Sequence, residues 1–159
     1  MKLLKSIRFD PSDTFVFDNA AEPGEWAIPG SFSFASAAEG DISGKQKQAF
    51  SNGFLSLQSF GHSTFVSVAN IGDTELASVE ARLAGHLMDC YGAPSLTDAL
   101  AAAKSELAFA IDICADVPIN TVFTLRRHFD EDGAIREELR ILETSNLEPP
   151  VRVFGLAED

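Results

Sequence analysis

"MDCYGAPSLTD", residues 88–98, is the stretch on which the reading of the fold turns. Gly92-Ala93-Pro94 stops one helical pattern, and Ser95-Leu96-Thr97-Asp98 starts another with a capping-box-like run. Upstream, residues 73–91 space Leu76, Val79, Leu83, Leu87 and Cys90 along one helical face, with Asp73 as the expected N-cap. Downstream, Leu96, Leu100, Ala103, Leu107, Ile111 and Cys114 form a second stripe that Pro118 closes. So short a link forces the two helices into an αα-hairpin. The hairpin also places Cys90 at the junction and Cys114 roughly 28 Å away along the axis, too far for a disulfide. Both thiols lie on apolar stripes and are expected to be buried and inert.

The flanking segments read as strands. "LLKSIRF" (3–9) and "TFVF" (14–17) are short apolar runs split by Asp10-Pro11-Ser12-Asp13, a turn signal. "EPGEWAIPGSFSF" (22–34) predicts a strand around Phe32 and Phe34, and residues 43–53 a short helix from Ser43 to Gly53. "TVFTLRRHF" (121–129) and "AIREELRIL" (134–142) flank Asp130-Glu131-Asp132-Gly133 as a hairpin, and "VRVF" (151–154) adds a strand after Pro149-Pro150. Nine of the thirteen phenylalanines precede residue 66, which suggests a Phe-lined sheet face beneath the helices. The expected architecture is α+β: an antiparallel sheet of about six to eight strands with the αα-hairpin on one face, residues 1–159 forming a single domain.

Composition restricts function. The 159 residues are 45% hydrophobic and 23% charged, as in ordinary globular proteins, and the net charge is −12. That sign repels phosphate backbones and anionic lipid, so neither nucleic acid nor a membrane surface is an expected partner. "MKLLKSIRFDPSD" lacks the apolar run of a secretory signal, and two cysteines make no disulfide framework, so the cytoplasm is the expected compartment.

"SFGHSTF" (59–65) resembles the start of a G-x-S-x-G nucleophile turn, but Phe65 stands where the second glycine belongs. "TFVSVAN" then alternates as a strand where a helix is required, so Gly61-His62 reads as a hairpin turn and Ser63 as a turn residue. No catalytic, cofactor-binding or metal-ligating residue is assigned. His86 and Cys90 stand at i and i+4, and a zinc site would need a third ligand from His62, His128 or a carboxylate. Charge–dipole attraction at a helix end and core packing explain the same two residues without a metal. Five of the seven arginines, Arg126, Arg127, Arg136, Arg140 and Arg152, fall between 121 and 152 among abundant carboxylates. Period-two reading buries Phe123, Leu125, Leu139 and Ile141, and turns Thr124, Arg126, His128, Arg136, Glu138 and Arg140 outward into a solvated ladder of cross-strand Arg–Glu pairs. Trp26 reads as a loop residue folded onto the core edge, or as a binding anchor. Trp26, His62, His86, Arg126, His128 and Arg140 are the candidates for a ligand or partner site.

"IRFDPSDTFVF", "AAEPGEWAIPGSF", "GFLSLQSFGHST" and "EDGAIREELR" together resemble a small family of uncharacterised bacterial proteins, a domain of unknown function. The likeness covers nearly the whole chain and is most specific in the first forty residues. It implies a bacterial, cytoplasmic, single-domain protein and brings no activity, cofactor or site residue. Two functional classes follow. The first expectation is a non-catalytic accessory or protein-interaction domain with an unknown protein partner, and the sequence leaves homo-oligomerisation open. The alternative is a small enzyme or small-molecule-binding domain whose site is assembled only in three dimensions. A cleft that gathers two or more of His62, His86, His128 and Cys90 distinguishes the alternative.

Overall fold

A computed structural model describes residues 1–142 and 151–155, and the Pro149-Pro150 break and the side chain of Arg152 lie outside the described residues. Its frame is an eight-stranded antiparallel sheet with strand order β4-β3-β2-β1-β5-β6-β7-β8. The strands are β1 (Lys2–Ile7), β2 (Trp26–Ile28), β3 (Phe54–Ser56), β4 (His62–Ser63), β5 (Phe65–Asn70), β6 (Val122–Phe129), β7 (Ile135–Leu142) and β8 (Val151–Gly155). β1 sits at the centre, paired with β2 through Leu4 and Ala27 and with β5 through Leu4 and Val68. The fold class is α+β, as the sequence indicates.

The described residues add four α-helices: α1 (Asp13–Val16), α2 (Lys45–Asn52), α3 (Asp73–Cys90) and α4 (Leu96–Cys114). α3 and α4 form the αα-hairpin, and α4 packs on β1 and β2. Ser95 caps α4 by accepting from the Asp98 backbone N–H at 3.1 Å. The α3 cap is Gly72 rather than Asp73, which lies in the first turn beside Glu75. α2 likewise starts from Gly44, not Ser43, and ends at Gly53. Val79, Leu83 and Leu87 of α3 and Ala103, Leu107 and Cys114 of α4 join Leu3, Leu4, Val66, Val68, Phe123 and Leu139 in the main core. Each large aliphatic side chain so buried contributes about 1.5–3 kcal/mol.

Several local expectations are overturned, each for an identifiable reason. Residues 14–16 are helical, not extended, and only Phe17, the C-cap, has extended backbone. Asp10 Oδ1 accepts from the Ser12 N–H at 2.9 Å and the Pro11 carbonyl accepts from Thr14, which winds the chain into a turn before a strand can pair. Ser31–Phe34 is a 3₁₀ turn because Gly30, at φ 78°, reverses the chain and the Ser33 hydroxyl donates to its carbonyl at 2.8 Å. Most of these phenylalanines therefore do not line a sheet face, although Phe54 of β3 is buried in the main core. Phe17, Phe34 and Phe50 instead build a second core with Ile42 and Ala49, against which Phe129 and Ile135 pack. Cys90 is exposed, because the buried stripe of α3 ends at Leu87, one turn before it. Cys114 is buried, and burial pushes its thiol up to about 12.

The β6–β7 hairpin buries Phe123, Leu125, Leu139 and Ile141, as the alternation requires. The same inner face carries a charged pair that the outward ladder of arginines conceals. Arg127 and Glu137, opposite one another in register, are 2% and 3% exposed and bridged at 2.9 Å. On the outer face, Arg126 stands opposite Glu138, but Glu138 pairs along its own strand with Arg140 at 3.3 Å. Arg136 pairs with Asp130 in the turn at 2.8 Å.

Candidate functional site

A cavity of about 390 Å3 opens where the two cores meet. Its wall takes Phe34 from the 3₁₀ turn, Ala49 from α2, Leu55 from β3, Phe60 from the β3–β4 turn, His62 from β4, and His86 and Tyr91 from the end of α3. Asp18, Asn19, Asp41, Lys45 and Gln46 form its polar rim and are exposed. The size lies within the usual range for small-molecule sites, as does the mixture of rings with a few polar groups.

His62 is placed by two glycines. A Cβ on Gly53 would stand 2.9 Å from His62 Cδ2 and 2.8 Å from the Ala49 carbonyl oxygen. A Cβ on Gly61 would stand 2.8 Å from the Asn19 carbonyl oxygen. Only glycine at 61 lets residues 19–21 run beside β4, where His62 N–H donates to Asn19 O and Ala21 N–H to His62 O, both at 2.8 Å. The glycine that resembles half of a nucleophile elbow thus serves His62. Ser63, a strand residue and not a turn residue, is buried and donates its hydroxyl to the Phe65 carbonyl at 2.7 Å. Burial, with the nearby Arg127 charge, lowers the His62 pKa from 6.5 to about 4, so the imidazole is neutral at neutral pH.

The turn is Leu57–Gly61, earlier than the Gly61-His62 turn expected from the sequence. Glu25 explains the shift. Its buried carboxylate accepts from the Ser56 hydroxyl, from Ser59 N–H at 3.0 Å and Oγ at 2.8 Å, and from Glu22 N–H at 2.7 Å. Burial pushes this carboxyl up, but those hydrogen bonds outweigh it and its pKa lies below the usual value. So pinned, the turn holds Phe60 at φ 58°, a left-handed conformation that is a genuine outlier for a bulky side chain. Such strain costs on the order of 1–3 kcal/mol and persists only where the surroundings enforce it. Its consequence here is a ring stacked on His86, centroids 3.8 Å apart and planes 6° from parallel. The Tyr91 ring meets His86 edge-on at 5.4 Å, and Phe34 meets Phe50 edge-on at 5.2 Å. Burial lowers the His86 pKa, with Asp89 opposing, and raises that of Tyr91.

Among the six sequence candidates, His62 and His86 line this cavity together. Trp26 is buried in β2, where its indole N–H donates to Glu75 at 3.2 Å and Lys5 lies 4.4 Å over its ring. Arg126 and Arg140 lie on the outer face of the β6–β7 hairpin, and His128 lines a recess of only about 150 Å3 with Lys47 and Phe129. Among the described residues no group of three His, Cys, Asp or Glu side chains is placed to hold an ion. Phe60, Tyr91 and Asp18 escape sequence reading, because nothing in their local pattern marks them.

A second cavity of about 280 Å3 sets Glu106 of α4 near Glu137, with Phe32 and Phe109 beside them. Burial and then the Glu137 charge raise the Glu106 pKa. Glu137 is already committed, however, to Arg127 and the Ser31 hydroxyl. None of the described helices is long and apolar enough to cross a membrane. No curated protein and no solved structure matches the chain. One family does match, over residues 1–155, and the chain belongs to it: the family of unknown function DUF6505.

Proposed function

We propose that this domain binds a small organic molecule in the 390 Å3 cavity, without transforming it. The observation that carries the reading is His62, a neutral ring held between Gly53 and Gly61 with no hydrogen bond to its nitrogens from the described residues. His62 is half-buried and lines the cavity, so a ring without a protein partner is open to a hydrogen bond from a ligand or water there. Proton transfer works best with a pKa near the operating pH, and a value of about 4 argues for recognition over general-base catalysis. The two unbonded cysteines and the bacterial resemblance support a bacterial cytoplasmic setting.

Ligand-observed saturation-transfer NMR with a set of simple aromatic fragments tests the proposal. Ala37 lines the cavity, and Ala37→Phe fills it without removing a core side chain. Fragments should bind the native chain and lose binding in that variant. Equal binding by both, or none by either, overturns the reading. A protein-interaction role keeps one supporting observation: Phe9 and Phe15 are 58% and 71% exposed. If they anchor a partner, Phe15→Ser abolishes the association and leaves fragment binding intact.

A further inference from the structure

Resting on that reading, we infer that the ligand is a planar aromatic compound carrying a cationic nitrogen, its ring among Phe34, Phe60 and Tyr91 and its charge towards Asp18 and Asp41. Ring geometry and charge placement carry this independently of each other. Phe34, Phe60, His62, His86 and Tyr91 all contribute to one wall, and their mutual contacts hold them in place before any ligand arrives. Flat rings brace flat ligands, and a wall already fixed loses little side-chain entropy on binding. A branched aliphatic molecule would leave such faces poorly covered.

The charge follows from the rim. Asp18 and Asp41 supply two carboxylates against the single ammonium of Lys45. One Asp41 oxygen accepts from Ala38 N–H at 3.0 Å, which fixes that carboxylate at the start of a second 3₁₀ turn, Glu39–Asp41; Asp18 has no ion pair among the described residues. Inside, His62 and His86 both favour the neutral form, and the one cation felt at His62 is Arg127. Arg127, the nearest buried cation, is bonded to Glu137 and to the Phe50 and Gly53 carbonyls. An anionic ligand would therefore meet net negative charge at the rim and no free donor cation inside, whereas a cation finds two acceptors.

Benzamidinium, benzamide and benzoate share one planar frame and differ in charge, so they separate the ring argument from the charge argument. Isothermal titration of each into the full chain, at low salt, should rank them in that order. Exposed carboxylates contribute a few-fold each, so benzamidinium should bind about tenfold more tightly than benzoate. Asp18→Asn/Asp41→Asn should close most of that gap while leaving benzamide unchanged. Benzoate binding as well as benzamidinium, with Ala37→Phe still abolishing both, overturns the charge assignment and leaves the cavity reading standing. Failure of all three to bind overturns the ring assignment, and the cavity reading then rests on the wider fragment set.

Discussion

Two polar regions of this molecule, one buried around Arg127 and one half-buried around His62 and His86, treat their hydrogen-bonding groups in opposite ways. At Arg127 every nitrogen of the guanidinium is hydrogen-bonded. Nε bonds Glu137 at 2.9 Å, Nη1 bonds Phe50 O at 3.0 Å and Gly53 O at 3.1 Å, and Nη2 bonds Pro29 O. The guanidinium thereby caps the C-terminal end of α2, where a cation also complements the helix dipole, and ties it to β6, β7 and the 29–31 segment. At His62 and His86 the rings are equally well positioned, yet their nitrogens take no bond from the described residues. The contrast teaches how to tell the two roles apart. A satisfied network holds a fold together, while ordered but uncommitted groups on a cavity wall are arranged for something else.

The largest expected effect breaks the first region. Arg127→Met leaves Glu137 buried without its partner and the α2 carbonyls uncapped, and should cost about 3–5 kcal/mol in urea denaturation. Arg127→Met/Glu137→Leu should be less destabilised than the single variant, because no bare charge remains. If the single variant is no worse than the double, the pair is not a structural clamp. Next, Leu139→Ala on the same inner face should cost about 2–5 kcal/mol, while Arg140→Ala on the outer face should cost under about 1 kcal/mol. A costlier arginine would invert the assignment of faces.

The second region should respond to pH instead. Between its folded pKa of about 4 and the ordinary 6.5, His62 is neutral in the folded chain and protonated in the unfolded one. The unfolded state then binds more protons, so stability falls as pH drops through that window, by up to roughly 3 kcal/mol. His62→Gln should flatten this part of the stability–pH curve, and an unaltered slope would locate the titrating group elsewhere. Phe60→Gly should leave stability nearly unchanged, since relief of about 1 kcal/mol or more of backbone strain offsets the lost ring contact. Fragment binding should nonetheless weaken, and retained affinity would show the strain to be incidental. The smallest effect is at the thiols. One thiol, Cys90, should react in the native chain and a second, Cys114, only on unfolding, whereas two reactive native thiols would contradict the burial of Cys114.

The legible parts of the sequence are those where burial has a period. The α3 and α4 stripes, the β6–β7 alternation and the turn at Asp130–Gly133 follow from spacing alone, because each buries one face against a neighbour. Arg127 and Glu137 keep that same period, yet the sequence reading assigns them to neither face, and only their cross-strand register reveals the pair. Trp26 and the Phe-rich first half were harder, since 3₁₀ turns and loops carry no repeat. The cavity was the least legible feature. Its two histidines were named as candidates, but Gly53, Gly61 and the Glu25-pinned turn act through close approach in three dimensions, which linear sequence does not encode.

The chain has three histidines, and only two face the cavity, so an imidazole 1H–15N spectrum contains its own control. Recorded while benzamidinium is titrated to saturation, it tests the central claim directly. The account predicts that the His62 and His86 ring nitrogens shift together along one binding curve while those of His128 stay fixed. A saturable shift at His128 with His62 and His86 unmoved would contradict it.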